Sequence, residues 1–303
     1  MQRPETEIEM PSKNHDKARG LQRDARAWAK FTGSNYTAAV RQMQHPLAQG
    51  ILGDRISARH LIRVLDEHPL IGARLGESGF RSADPLTPRV DDFVALALTV
   101  ETLRMFTPDP RSQINSYPLK GLTERFLEPT VSYVSNGRLI WAAAALDLPM
   151  VEASSQGPNV YIGINEREDA YIRIMTDHRK DLPKATQHRP PGFVHLRGAL
   201  ERYASGEPIG ERWSGERPQP VTTAFHKWLV QQADRDAPYV TVEQMAFHYV
   251  TGVADSDHRI ATDPEDLVSI LTDDVGASPD FIEAAVRAGD QWRSNNAPPL
   301  SAN

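Results

Sequence analysis

The sequence predicts a mainly α, helical multi-domain protein with a small β element in its middle domain and a helical bundle at its C-terminal end. Three observations carry that reading. Apolar residues recur at helical spacing in most segments between Asp16 and Trp292. Pro and Gly punctuate those segments at short intervals. The β-favouring run Val160-Tyr161-Ile162-Gly163-Ile164 is brief and stands alone.

In order, Asp16 to Phe31 reads as an amphipathic helix with Ala18, Leu21, Ala25 and Trp28 on one face. Gly33-Ser34-Asn35 ends it and caps a second short helix, Tyr36 to Met43. A third helix is expected from about Arg55 to Glu67, with Ala58, Leu61, Ile62 and Leu65 inward, and His68-Pro69 breaks it. Gly72 to Pro88 reads as a loop or linker. Val90 to Phe106 is broadly apolar and therefore a buried helix, and Leu119 to Leu127 a shorter one. Gly137 to Leu148 is apolar around nearly its whole circumference, with Ser135 and Asn136 suited to cap its start and Pro149 to stop it. A strand at Val160 then leads into an amphipathic helix ending near Met175. The turn between them, Ile164-Asn165-Glu166-Arg167, lacks the glycines a phosphate site needs, and its acid repels anions. Phe193 to Ala204 is a further helix. The Gly- and Pro-rich stretch that follows, with Gly210-Glu211-Arg212 nearly repeated as Gly215-Glu216-Arg217, reads as an interdomain linker. These punctuation marks divide the chain into a basic helical module (12–75), a middle domain (76–205), a linker (206–221) and an acidic helical domain (222–295).

At 303 residues, 40% apolar and 24% charged, the composition is that of a soluble globular protein. The absence of cysteine excludes disulfides, Cys-ligated metal sites and a thiol nucleophile. The first ten residues contain no apolar run of a signal peptide, and no stretch approaches the roughly 18 apolar residues of a membrane span. A cytoplasmic protein without membrane contact is expected.

The net charge of -6 conceals a polarity. From Lys13 to Leu65, ten Lys and Arg face three acids, a surplus of +7; from Thr222 to Asn303, five basic residues face thirteen acids, a surplus of -8. In the basic part, Arg19, Arg23, Arg26 and Lys30 share the polar face of the first helix, and Arg55, Arg59 and Arg63 are expected to line the outside of the third. Such rows can follow phosphates and release counterions, so these seven residues are the candidate nucleic-acid contacts. The same rows equally fit a solvated face or one that docks on the acidic end of the chain.

No metal-ligand motif, phosphate loop, dinucleotide fingerprint or nucleophile elbow occurs, and neither a cofactor nor a metal site is expected. The remaining catalytic candidates are Lys120 with Glu124, spaced as a helical ion pair, and His188 with His195, near Asp177 and His178.

Two resemblances add to this reading. Tyr117-Pro118-Leu119-Lys120, Tyr133-Val134-Ser135-Asn136-Gly137 and Gly157-Pro158-Asn159 resemble a pattern of uncharacterised bacterial and mobile-element proteins, which implies a bacterial setting and no activity. Phe225-His226-Lys227-Trp228-Leu229, Gln232, Arg235-Asp236, Pro238, Ala246, Asp266-Leu267 and Trp292 resemble the YozE family of small SAM-like helical domains. The likeness spans about seventy residues and departs after Pro238. It implies a fold used for protein or nucleic-acid contacts, and thirteen acids make a protein the better partner. The expected function is a non-enzymatic bacterial interaction protein, nucleic-acid-associated through its basic helices and protein-binding through its C-terminal domain. The alternatives are an enzyme of the middle domain or a phage or plasmid assembly protein.

Overall fold

The structure, a computed structural model, describes residues 13–154, 157–176, 188–215, 222–255 and 259–296. It is mainly α, as the periodicity requires, and divides into two compact units. Unit 1 comprises residues 1–166 and 191–216; unit 2 comprises residues 167–190 and 217–303. The third crossing between the units, at 216/217, falls within the Gly- and Pro-rich stretch.

Unit 1 is built on α1 (Lys13–Thr32), α2 (Tyr36–Gln44), α3 (Ala58–Glu67), α4 (Asp92–Arg104), α5 (Ser116–Leu127), α6 (Asn136–Ala145) and α8 (Phe193–Ala204). The helix between the last two, α7 (Glu166–Thr176), begins at the boundary of the units. Helix α4 is buried from Phe93 through Leu103 apart from two half-covered positions, and α6 is covered on all sides except at Arg138, which is why neither shows a single apolar stripe. The start of α6 is the one its residues announce: Ser135 Oγ accepts from the Arg138 amide at 3.2 Å. Its end comes earlier than Pro149, at Ala145, because Asp147 takes a left-handed φ of +51°.

The described part of the basic module and the middle domain as far as α6 share one core. Trp28 of α1 stacks on Trp141 of α6, with ring centroids 6.2 Å apart, and meets Phe93 of α4 edge-on at 5.3 Å. Trp28 Nε1 donates to Val90 O at 3.1 Å, and Trp141 Nε1 donates to Leu61 O of α3 at 2.8 Å. Burying two indoles with both N–H groups satisfied joins α1, α3, α4 and α6. The Gly72 to Pro88 stretch is pinned to this core as well. It forms a tight hairpin, β1 (Leu75–Gly76) with β2 (Gly79–Phe80), whose Phe80 is fully buried. The Gly137 amide donates to Glu77 O at 3.0 Å, and a Cβ at Gly137 would collide with Gly76 O.

The β element is larger than the one strand at Val160 suggests. Strand β5 (Val160–Ile162) is central in an antiparallel sheet between β3 (Ile114–Asn115) and β4 (Met150–Glu152), with Ile162 opposite both Ile114 and Met150.

In unit 2, α9 (Ala224–Gln232), α10 (Val242–Asp255), α11 (Pro264–Ser269), a π turn (Ile270–Asp274) and α12 (Pro279–Asn296) enclose a core of Phe225, Leu229, Met245, Tyr249, Leu267 and Ile270. Asp263 caps α11, accepting from the Asp266 amide at 2.8 Å, with Pro264 in the first turn. Trp228 and Trp292 are half-buried at its edge, 5.8 Å apart and both against Phe225. Among the described residues no helix is long and apolar enough to cross a membrane.

Candidate functional site

The buried face of α1 fixes what its other face presents. Asp24, Ala25, Trp28 and Ala29 are covered, so Arg19, Arg23, Arg26 and Lys30 are turned to solvent. Their spacing of four, three and four residues keeps them in one row about 16 Å long. Among the described residues no ion pair involves any of the four. Arg26 lies over the Tyr36 ring at 5.7 Å, which places an aromatic beside the row.

The second expected row is divided. Helix α3 begins at Ala58, capped by Ser57, so Arg55 lies before it and turns inward. Asp24, with 1% of its side chain exposed, pairs with Arg55, accepts from Arg59 Nε at 2.9 Å, and accepts from Ser57 Oγ at 2.8 Å. Burial opposes ionisation of this carboxyl, but the hydrogen bonds from Arg59, Ser57 and Arg55 outweigh it and hold it below the ordinary Asp value. Arg55 is largely covered, Arg59 is half-exposed, and Arg63 is exposed, with Nη2 3.0 Å from His60 Nδ1. His60 Nε2 lies 2.8 Å from Ala145 O, so it carries the ring proton and leaves Nδ1 to accept from Arg63. The sequence signal for this network was an aspartate on the apolar face of α1, between Leu21 and Trp28.

Lys120 and Glu124 form the helical pair their spacing suggests, at 2.8 Å, and Glu124 also accepts from the Val134 amide at 2.9 Å. The carboxylate thus ties α5 to the turn before α6. The ammonium lies 4.9 Å from the Tyr133 ring centroid and 5.9 Å from that of Tyr117, two tyrosines more than 60% exposed. Sequence reasoning missed this aromatic grouping because the rings come from separate segments. His195 Nε2 lies 2.8 Å from Glu211 O, and His188 is half-buried. Asp177 and His178 lie outside the described residues. No group of His, Asp or Glu among the described residues could hold a metal ion.

In unit 2 the buried polar pair is neutral. Tyr249 Oη accepts from the Ala261 amide at 2.8 Å and lies 2.9 Å from His226 Nδ1, to which it donates. Burial pushes the Tyr249 phenol up to about 12 and His226 below its ordinary value. Comparison of the chain with protein-family models, curated proteins and solved structures found no significant match.

Proposed function

We propose that the protein is an interaction protein whose basic α1 face binds nucleic acid and whose unit 2 binds a protein partner. The observation that carries the first half is the row Arg19, Arg23, Arg26 and Lys30, exposed without an acid paired to it, while Asp24 takes up Arg55 and Arg59. A row about 16 Å long matches roughly five phosphates of one DNA strand. Side chains arranged this way neutralise backbone phosphates and read no sequence, so binding would be non-specific and strongly dependent on salt. Supporting the second half are the likeness of the C-terminal residues to YozE-type domains and the surplus of -8 from Thr222 onward, which disfavours a phosphate partner.

Fluorescence anisotropy of a short labelled duplex tests the nucleic-acid half. Replacing Arg19, Arg23, Arg26 and Lys30 by Glu should weaken binding at low salt by more than about 100-fold, whereas Arg197→Glu, on the solvent face of α8, should not. Absence of binding by the unaltered chain at low salt, or equal binding by the fourfold variant, would remove nucleic acid as the partner. Retained binding of an acidic protein domain in the same assay would then reassign the face.

A further inference from the structure

Unit 2 holds a cavity of about 310 Å³ between the turn before α10, the π turn and the start of α12. Tyr249 and Leu271 form its buried floor, and Val275, Ala277 and Phe281 its walls. Phe281 is met edge-on from two sides, by Tyr239 at 5.7 Å and by His248 at 5.4 Å. Tyr239 is 70% exposed and Val275 40%, so apolar surface continues from the floor to the rim.

The rim is held in place at a cost. Val240, next to Tyr239, has φ of +68°, a strained conformation that a β-branched residue rarely adopts. Two hydrogen bonds sustain it: the Val240 amide donates to Gln244 Oε1 at 2.9 Å, and Val240 O accepts from Arg287 Nη2 at 2.8 Å. The neighbouring tyrosine is thereby fixed over the cavity, although little of its own surface is buried.

Charge defines the occupant. Asp266 and Asp274 both pair with the one guanidinium of Arg259, the latter at 3.3 Å, and exposed Asp273 adds a third carboxylate. Three acids around one arginine leave a local -2 directly before Val275. Burial raises the Asp274 carboxyl, Arg259 opposes that rise, and the charges of Asp273 and Asp266 add to it. An incoming cation would relieve that repulsion.

We propose that this cavity docks a basic segment of a partner protein, one bulky apolar side chain seated against Leu271, Val275 and Phe281 beneath Tyr239, with flanking Lys or Arg against Asp273 and Asp274. The inference rests on the protein-binding reading of unit 2 and supplies the partner's chemistry. The volume lies at the lower end of ligand pockets, about 300–1,000 Å³, and suits a single anchor residue.

The test titrates the full chain, with Leu and Val methyls labelled, with three synthetic peptides followed by NMR. One carries Leu-Phe flanked by arginines and lysines, the second replaces Leu-Phe by Gly-Ser, and the third replaces the basic residues by Glu. The first should shift the Leu271 and Val275 methyls, and the other two should bind at least about tenfold more weakly, as loss of one anchor or of the charge match costs 1.4 kcal/mol or more. Tyr239→Ala and Val275→Ser change exposed side chains without altering the charge, and each should weaken the first peptide by a similar factor. Equal binding of the Gly-Ser peptide, or binding unchanged in both variants, overturns the cavity. Shifts confined to Val230 and Val250 overturn it while leaving the protein-binding reading in place, and no shift in unit 2 at millimolar peptide overturns both.

Discussion

Unit 1 and the α9 to α12 bundle of unit 2 handle buried charge in opposite ways. Unit 1 buries acids and matches each to arginine: Asp24 with Arg55 and Arg59, Glu101 with Arg104 at 2.6 Å, and Asp92 with Arg138 at 2.9 Å. Unit 2 pairs buried Asp169 with Arg173 at 2.6 Å within α7, but its α9 to α12 bundle buries the neutral His226–Tyr249 pair and leaves most of its acids in solvent. The difference teaches where charge remains available to a partner. In unit 1 interior pairing consumes part of the positive surplus and leaves the α1 row, with Arg41 and Arg63, exposed and outside any ion pair among the described residues. In unit 2 the surplus of acids stays on the surface, concentrated where Arg259 serves two carboxylates.

The largest effect that sharpens this contrast is in the shared aromatic core. Trp28→Ala should destabilise unit 1 by about 3–5 kcal/mol, read from denaturant unfolding, and leave Tyr249 in its native environment. A smaller loss would mean that α1 is not part of that core. Next is Asp24→Ala, which strands covered Arg55 and an unpaired Ser57 hydroxyl and should cost about 3 kcal/mol. The half-exposed Arg59 regains water and adds little. Tyr249→Phe should cost about 1–3 kcal/mol, because the Ala261 amide and His226 Nδ1 lose a buried partner together. A neutral outcome would show that water replaces the hydroxyl.

Acid separates the units in a further, smaller way. His226 titrates lower in the folded chain than when unfolded, so its contribution is present above the unfolded value near 6.5 and is lost as pH falls below it. His45, half-buried beside Tyr203 in unit 1, contributes with the same sign. Asp24 adds a step that only unit 1 has, since its lowered carboxyl keeps its stabilisation until pH falls below about 3.9. Urea midpoints at pH 7, 5 and 3.5 should show loss in both units first, and the unit 2 loss should vanish in His226→Leu.

Much of the fold was legible because its signals are local. Ser135 capping α6, Asp263-Pro264 opening α11 and the all-round apolar α4 follow from a few adjacent residues. What was not legible depends on which distant surface answers an apolar face. The stripe of Trp28 and Ala25 looks the same whether it closes a separate module or packs on Trp141. The hairpin at Leu75 to Phe80 has two residues per strand and thus no period to detect. Strands β3 and β4 carry only two and three residues and acquire their identity from pairing with β5. At the candidate site, the α1 row was readable from spacing alone. The inward turn of Arg55 was not, because it depends on α3 starting at Ala58 and on Asp24 lying across from it. The cavity of unit 2 escaped notice for a similar reason, since Tyr239, His248 and Phe281 converge from three segments.

The most direct test of the central claim is the salt dependence of duplex binding by the full chain. Four phosphate contacts predict a slope of log K against log salt of about -3.6, falling towards zero when Arg19, Arg23, Arg26 and Lys30 are replaced. A slope that the fourfold variant leaves unchanged would contradict the account.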